Sequence, residues 1–204
     1  MEKLEKLKDV WKKQGESSIK FSIEDIYGMV HKKSSSIVKW ILIISILEFV
    51  LPNLVYIFTD HDATLKLYEN YDLNSITKFY TIIHLIIIVG FIYVFYKNYK
   101  NISAESSVKT LLQDILKTRK TVKYYIYYNL TMAAIIGVHI FSIVFNSEIF
   151  IEKLSDGTNM IIVWVIAVFL LILTLFIFWG FYRILYGILL KKLNRNYSEL
   201  LKNE

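Results

Sequence analysis

Polar and apolar positions along this chain fall into blocks rather than alternating residue by residue. A polar stretch comes first, and long apolar runs follow from Ile37 to Phe58, Phe79 to Tyr96, Tyr125 to Phe145 and Met160 to Tyr182. A helix crosses the hydrocarbon core of a bilayer with ~20 mostly apolar residues, so each run predicts a transmembrane helix. The fourth run contains no charged residue, whereas the first holds Glu48, Pro52 and Asn53. A soluble fold would have to bury every run, and a chain of 204 residues has too little polar surface left to cover them. The pattern therefore predicts an all-α, polytopic membrane protein, a four-transmembrane-helix bundle with cytoplasmic amphipathic helices. The expected divisions are a cytoplasmic N-terminal helical segment at 1–36, spans at 37–58, 79–96, 125–145 and 160–182, external loops at 59–78 and 146–159, a cytoplasmic helical loop at 97–124 and a cytoplasmic C-terminal helix at 183–204.

Charge sets the expected orientation, because Lys and Arg accumulate on the cytoplasmic side of a membrane. Residues 1–39 hold nine lysines, residues 97–123 hold seven Lys or Arg, and the tail from Arg183 holds five. The loop at 59–78 instead sets Asp60, Asp62, Glu69 and Asp72 against Lys66 and Lys78, and the loop at 146–159 sets Glu148, Glu152 and Asp156 against Lys153. Basic and acidic compartments alternate, which places both ends in the cytoplasm. Aromatic residues mark the two interfaces: Trp40, Tyr93, Tyr96, the Tyr124–Tyr128 cluster and Trp179 on the inner side, and Tyr56, Phe79, Tyr80 and Trp164 on the outer. The net charge of +6 raises the question of nucleic acid. The basic residues flank apolar runs, so topology accounts for them and no nucleic-acid partner is expected. No signal-peptide pattern precedes the first run, and the N-terminus is expected to be retained.

Helical periodicity continues outside the spans. Leu4, Leu7 and Trp11 recur at helical spacing up to Gly15. Ser22 is a candidate cap for a short helix with Ile23, Ile26, Tyr27 and Val30 on its apolar face. In the central loop, Val108, Leu111, Leu112, Ile115 and Leu116 form a stripe, with Ser103 as candidate cap and a helix running on into the third span. Ile184, Leu185, Ile188, Leu189, Leu193 and Tyr197 continue the fourth span as one long helix. These stripes can pack on each other or on the anionic leaflet. Alternatively they dock a soluble partner, for which Leu4, Leu7 and Trp11 are the candidates. The expected partner of such a chain is the lipid bilayer, and a cytoplasmic protein or a second copy of the chain is compatible with it.

Few residues carry candidate chemistry. The sequence has no cysteine, which leaves no disulfide, thiolate metal site or cysteine nucleophile. It has no phosphate-binding loop, dinucleotide fingerprint or nucleophile elbow. An ionisable residue at membrane depth is a functional hypothesis by default, which singles out Glu48. Pro52 cannot bond the carbonyl of residue 48, so a kink is expected there. Counting the rise along each span puts Asn53, His84 and His139 at similar depth, with Glu48 a turn or so deeper. Glu48, Asn53, His84 and His139 are thus the intramembrane polar candidates. A Glu–His–His group would bind a metal or relay protons; the plainer reading is hydrogen bonding between helices. No H-x-x-x-H or E-x-x-H spacing supports a metal site, and neither a metal nor a cofactor is expected. Ala133 and Gly137 form a small-xxx-small pair that permits close helix approach.

Four segments carry a resemblance: Lys8–Gln14, Asp25–Ser36, Ile115–Tyr125 and Tyr182–Gly187 with Leu193–Tyr197. Together they resemble a family of small four-span membrane proteins from Bacteroidetes-type bacteria, across the whole chain. A composition heavy in Ile, Lys, Asn and Tyr fits the same kind of source. Members of that family often carry the label beta-carotene 15,15'-monooxygenase. A carotenoid oxygenase is a large β-propeller with four histidines on iron, and this short helical chain has no such cluster. The resemblance brings no activity with it, and an association with sigma-factor genes would imply a membrane-tethered regulator. The expected function is that of a non-enzymatic inner-membrane protein that regulates or scaffolds by docking a cytoplasmic partner, with anti-sigma-like sequestration as one form of it. The alternatives are a small transporter or channel using Glu48, and a membrane-embedded enzyme or metal protein.

Overall fold

The computed structural model describes residues 23–58, 62–104, 107–154 and 157–202. The N-terminal stripe with Leu4, Leu7 and Trp11, and the cap at Ser22, lie outside the described residues. The helices are α1 (Ile23–Phe58), α2 (Asp62–Asn70), α3 (Asn74–Ser103), α4 (Val108–Phe145), α5 (Glu148–Glu152) and α6 (Met160–Lys202). The described residues form no strand. Helices α1, α3, α4 and α6 are each long and apolar enough to cross a membrane. The chain is therefore a multi-pass, all-α membrane protein.

Each long helix is more than a span. The short helix expected near Ile23 and the first span are one continuous helix, α1. Likewise, the central-loop stripe and the third span are one helix, α4, and the fourth span runs unbroken to Lys202 in α6. The start of α4 is set by Ser107 rather than Ser103: the Ser107 hydroxyl accepts the Thr110 N–H at 3.3 Å. This satisfies one of the free donors of the first turn. Ser103 instead closes α3, and its hydroxyl bonds that of Ser35 at 2.8 Å.

The helices pack as a ring, α1 on α3, α3 on α4, α4 on α6 and α6 on α1. The register is antiparallel throughout. Asn98 of α3 reaches Thr121 of α4 while Tyr80 reaches His139, and Asn196 of α6 reaches Ser34 of α1 while Tyr186 reaches Glu48. One end of the bundle gathers the start of α1, the α3–α4 turn and the end of α6, with most of the Lys and Arg; it is here called the basic end. The other carries α2, α5 and the acidic loops.

Packing is uneven along the bundle axis. Val30, Val38, Ile41, Phe95, Ile102, Leu111, Ile115, Val122, Leu193 and Leu200 are all buried, and all lie in the half toward the basic end. Polar contacts fasten the same half. Asn196 donates to Ser34 at 3.1 Å in a fully buried contact, and the His31 ring N–H donates to the Ala104 carbonyl at 3.2 Å. Of the expected stripe of α6, Leu193 is buried and Leu185, Leu189 and Tyr197 pack on the core, while Ile184 and Ile188 are exposed; Tyr186, Asn196 and Leu200 complete the inward face. Tyr186 and Asn196 are held inward by their polar bonds to Glu48 and Ser34 of α1. In the other half, every residue of α1 from Leu51 to Phe58 is exposed, as are most apolar residues of α6 from Ile161 to Phe178. An exposed apolar surface of that extent is incompatible with water and fits a helix surface facing lipid.

At the acidic end, α2 stops on a left-handed residue. Asp72 has φ +51°, the Leu73 N–H bonds the Tyr68 carbonyl at 2.8 Å and the Asp72 N–H bonds Glu69 at 3.2 Å. These two bonds are those of a Schellman motif, and its customary apolar contact is supplied by buried Leu73.

Candidate functional site

Where the close packing ends, the ring of helices opens into a cavity of about 960 Å³. Glu48 of α1, Asn53 of α1, His84 of α3 and His139 of α4 all line it. The structure therefore brings the four polar residues that stand out in the sequence to one site, though not into one cluster.

Glu48 stands at the floor of the cavity, beside the packed half. Tyr125 of α4 donates its hydroxyl to Glu48 Oε2 at 2.6 Å, and Tyr186 of α6 donates to the same oxygen at 3.1 Å. Tyr182, Tyr125 and Tyr186 stack edge and face around this point, with ring centroids 5.9–6.2 Å apart. Phe91 and Phe95 of α3 press on the other side of the Tyr125 ring. One carboxyl therefore ties together three helices, α1, α4 and α6. The second carboxyl oxygen, Oε1, is buried and is the one described buried side-chain atom without a hydrogen-bond partner.

Above Glu48 the polar groups come in pairs. His84 stacks on Tyr128 and shares a hydrogen bond of 3.3 Å with its hydroxyl. His139 meets Tyr80 edge-on and shares a bond of 2.7 Å. Tyr80 and His84 are one turn apart on α3, so the two histidines sit at successive levels of the cavity rather than at one. Asn53 turns back on its own helix and donates to the Phe49 carbonyl at 2.6 Å, and Asn129 does the same to Tyr125 at 2.8 Å. Among the described residues, no group of three or more His, Asp or Glu is placed to hold a metal ion. The polar groups instead punctuate walls that are otherwise apolar, such as Ile44, Leu85, Ile88, Leu130 and Ile136.

Gly137 supports this side of the cavity. A Cβ there would lie 2.6 Å from Leu171 Cδ1. The small-xxx-small pair thus marks the close approach of α4 to α6, and Ala133 lines the cavity one turn away.

Sequence reasoning missed the tyrosines. Tyr80 and the Tyr124–Tyr128 cluster read as interfacial aromatics. Trp40, Tyr93, Tyr96 and Tyr124 do remain exposed, as a belt would require, but Tyr125, Tyr128 and Tyr80 turn inward. The available signal was the i, i+4 pair Tyr182 and Tyr186, which puts two phenols on one helix face; the expected span end at Tyr182 set Tyr186 beyond the membrane, whereas the structure brings it to Glu48.

Fold and site together define a multi-pass α-helical membrane protein with a cavity inside its helix bundle. The family model of DUF8845, a domain of unknown function, matches residues 24–204, and the chain belongs to that family. No curated protein and no solved structure matches it significantly.

Proposed function

We propose that this is a non-enzymatic protein of the cytoplasmic membrane, with both termini inside, that binds a lipophilic small molecule in its cavity and passes the occupied state to a cytoplasmic partner. The observation that carries this reading is the contrast between the two halves of the bundle. One half is packed solid. The other is a cavity with mostly apolar walls and a few fixed polar groups, the usual make-up of a small-molecule site.

The same contrast favours binding over conduction. A channel or carrier built on Glu48 needs a path past it, and below Glu48 lie the rings of Tyr125 and Tyr186 and the side chains of Val38, Ile41 and Phe95, all buried. Coupling to a partner is supported by α1, which runs without a break from Ile23 through Glu48. The segment before it, with Leu4, Leu7 and Trp11, would hold the partner.

Mass spectrometry of the intact protein released from mild detergent tests the binding reading. A small lipophilic adduct should be retained by the wild type and weakened or lost in Ala133→Phe, which pushes a ring into the cavity. A wild type that carries no adduct beyond bulk lipid, and takes up none from a lipid extract, would refute it.

A further inference from the structure

We propose that the ligand of this cavity is a single-chain amphiphile whose head is a protonated primary amine, held by Glu48. The proposal rests on the reading of the cavity as a binding site and names what it binds.

The argument starts from the hydrogen bonds that Glu48 lacks. Oε2 takes two tyrosine hydroxyls, and Oε1 takes none. If the carboxyl is ionised, Oε1 is an acceptor without a donor; if it is protonated there, the proton has no acceptor. Either state leaves a buried polar atom unsatisfied, which costs free energy; Oε1 has almost no accessible surface, so a ligand completes it by drawing the Glu48 carboxyl round toward the cavity that the residue lines. Pro52, one turn on, has no N–H for the Glu48 backbone carbonyl. The residue is therefore rich in acceptors and short of donors.

Charge narrows the choice. No Lys or Arg lines the cavity, so no described residue there supplies a permanent counter-charge to Glu48. A carboxylate in an apolar site is unfavourable unless it is paired. An ammonium supplies both the missing N–H donor and the missing charge, in a bond about twice as strong as a neutral one. An alcohol would supply only the donor, and a quaternary ammonium only the charge.

The walls select the rest of the molecule. Leu85, Leu130 and Ile136 offer an aliphatic lining beyond the head. The cavity is bordered by exposed residues, Leu47 and Leu51 of α1 and Ile177 and Phe178 of α6. A hydrocarbon chain can therefore pass between cavity and bilayer without crossing a polar rim. The volume, about 960 Å³, lies near the top of the ~300–1,000 Å³ range of small-molecule sites.

The test uses the full chain in nanodiscs of zwitterionic lipid, titrated calorimetrically with dodecylamine, dodecyltrimethylammonium, dodecanol and dodecanoate, with partition into empty nanodiscs subtracted. Dodecylamine should bind saturably and at least roughly tenfold tighter than dodecanol. Glu48→Gln should lower the amine's affinity to that of the alcohol and leave the alcohol's unchanged. Equal affinity of amine and alcohol for the wild type overturns the amine assignment while leaving a binding cavity. Trimethylammonium binding as tightly as the amine overturns it in favour of an aromatic cation site. A preference for amine that persists in Glu48→Gln overturns the role of Glu48. If none of the four binds, the cavity reading falls as well. The wild-type series decides the ligand class even if the variant fails to fold.

Discussion

Tyr186 and Glu48 stand 138 residues apart in sequence and meet at 3.1 Å, so the last long helix is fastened to the first by a phenol on a carboxyl. Tyr125 holds the same oxygen from a third helix. If these bonds stabilise the bundle, their effects must depend on each other. Tyr186→Phe in the wild type should cost about 1–3 kcal/mol, the usual range for a hydrogen bond to a charged or buried partner. In a Glu48→Leu background the same change should cost much less, because its partner is already gone. The cycle is read from reversible unfolding in mixed detergent. Equal costs in both backgrounds would show that the contact is energetically idle.

A second polar contact lies at the basic end, where Asn196 donates to Ser34 with both side chains buried. Asn196→Leu leaves the Ser34 hydroxyl without that donor and places a branched chain where an amide fitted. We expect a loss of roughly 1–3 kcal/mol. Asn196→Leu combined with Ser34→Ala should recover part of it, since removing both polar partners is cheaper than removing one. Thermal unfolding of the purified variants measures both.

Legibility from sequence followed the physics of each feature. The spans were readable because lipid demands long apolar runs, and the charges beside them were readable for the same reason. Glu48, His84 and His139 stood out because polar groups at membrane depth are costly. Their partners did not stand out. A tyrosine near the end of a span has the same composition signal whether it faces the headgroups, as Tyr124 does, or a carboxyl, as Tyr125 does; one step of helical rotation, ~100°, separates the two. On α6 the apolar part of the inward face was legible and the polar part was not, for a related reason. Periodicity of apolar residues assumes that polar ones face out, and Tyr186 and Asn196 face in.

Orientation has a direct test, made clean by the absence of native cysteine. The proposed topology places Asn194 inside and Glu69 and Glu152 outside. An impermeant thiol reagent applied to intact cells should label Glu69→Cys and Glu152→Cys and spare Asn194→Cys until the membrane is opened. All three positions are exposed. Labelling of Asn194→Cys in sealed cells would reverse the assignment.

Gly137 provides a steric test of the α4–α6 contact. A methyl group at this position meets Leu171 Cδ1 at 2.6 Å, the far end of a flexible side chain. Gly137→Ala should therefore be tolerated, with Leu171 changing rotamer at about 0.5–1.5 kcal/mol. A larger group cannot be accommodated that way. Gly137→Leu should separate the helices and lower the unfolding midpoint further, and Leu171→Ala should restore part of the loss. Failure of Leu171→Ala to rescue would mean that the two residues do not meet.

The last prediction separates the bundle from the proposed output. The buried core begins at Val30, and the family match begins at residue 24. Every side chain of the described core and cavity comes from a later position, so none of them is removed with residues 1–22. Deleting them should leave the thermal midpoint and the cavity adduct unchanged, because the polar bonds of Ser34, Glu48 and Tyr186 all survive. The same deletion, and Trp11→Ala in the full chain, should abolish retention of a cytoplasmic partner identified with the intact protein, since tryptophan anchors commonly dominate interface energy. Comparing captured proteins from matched membranes, with the adduct measured on the same samples, reads both effects at once. If the truncated chain keeps its adduct and every partner, the N-terminal segment is an anchor on the membrane surface and the docking role belongs elsewhere on the chain. If the adduct is lost as well, the segment contributes to the cavity itself, and the separation of binding from output is wrong.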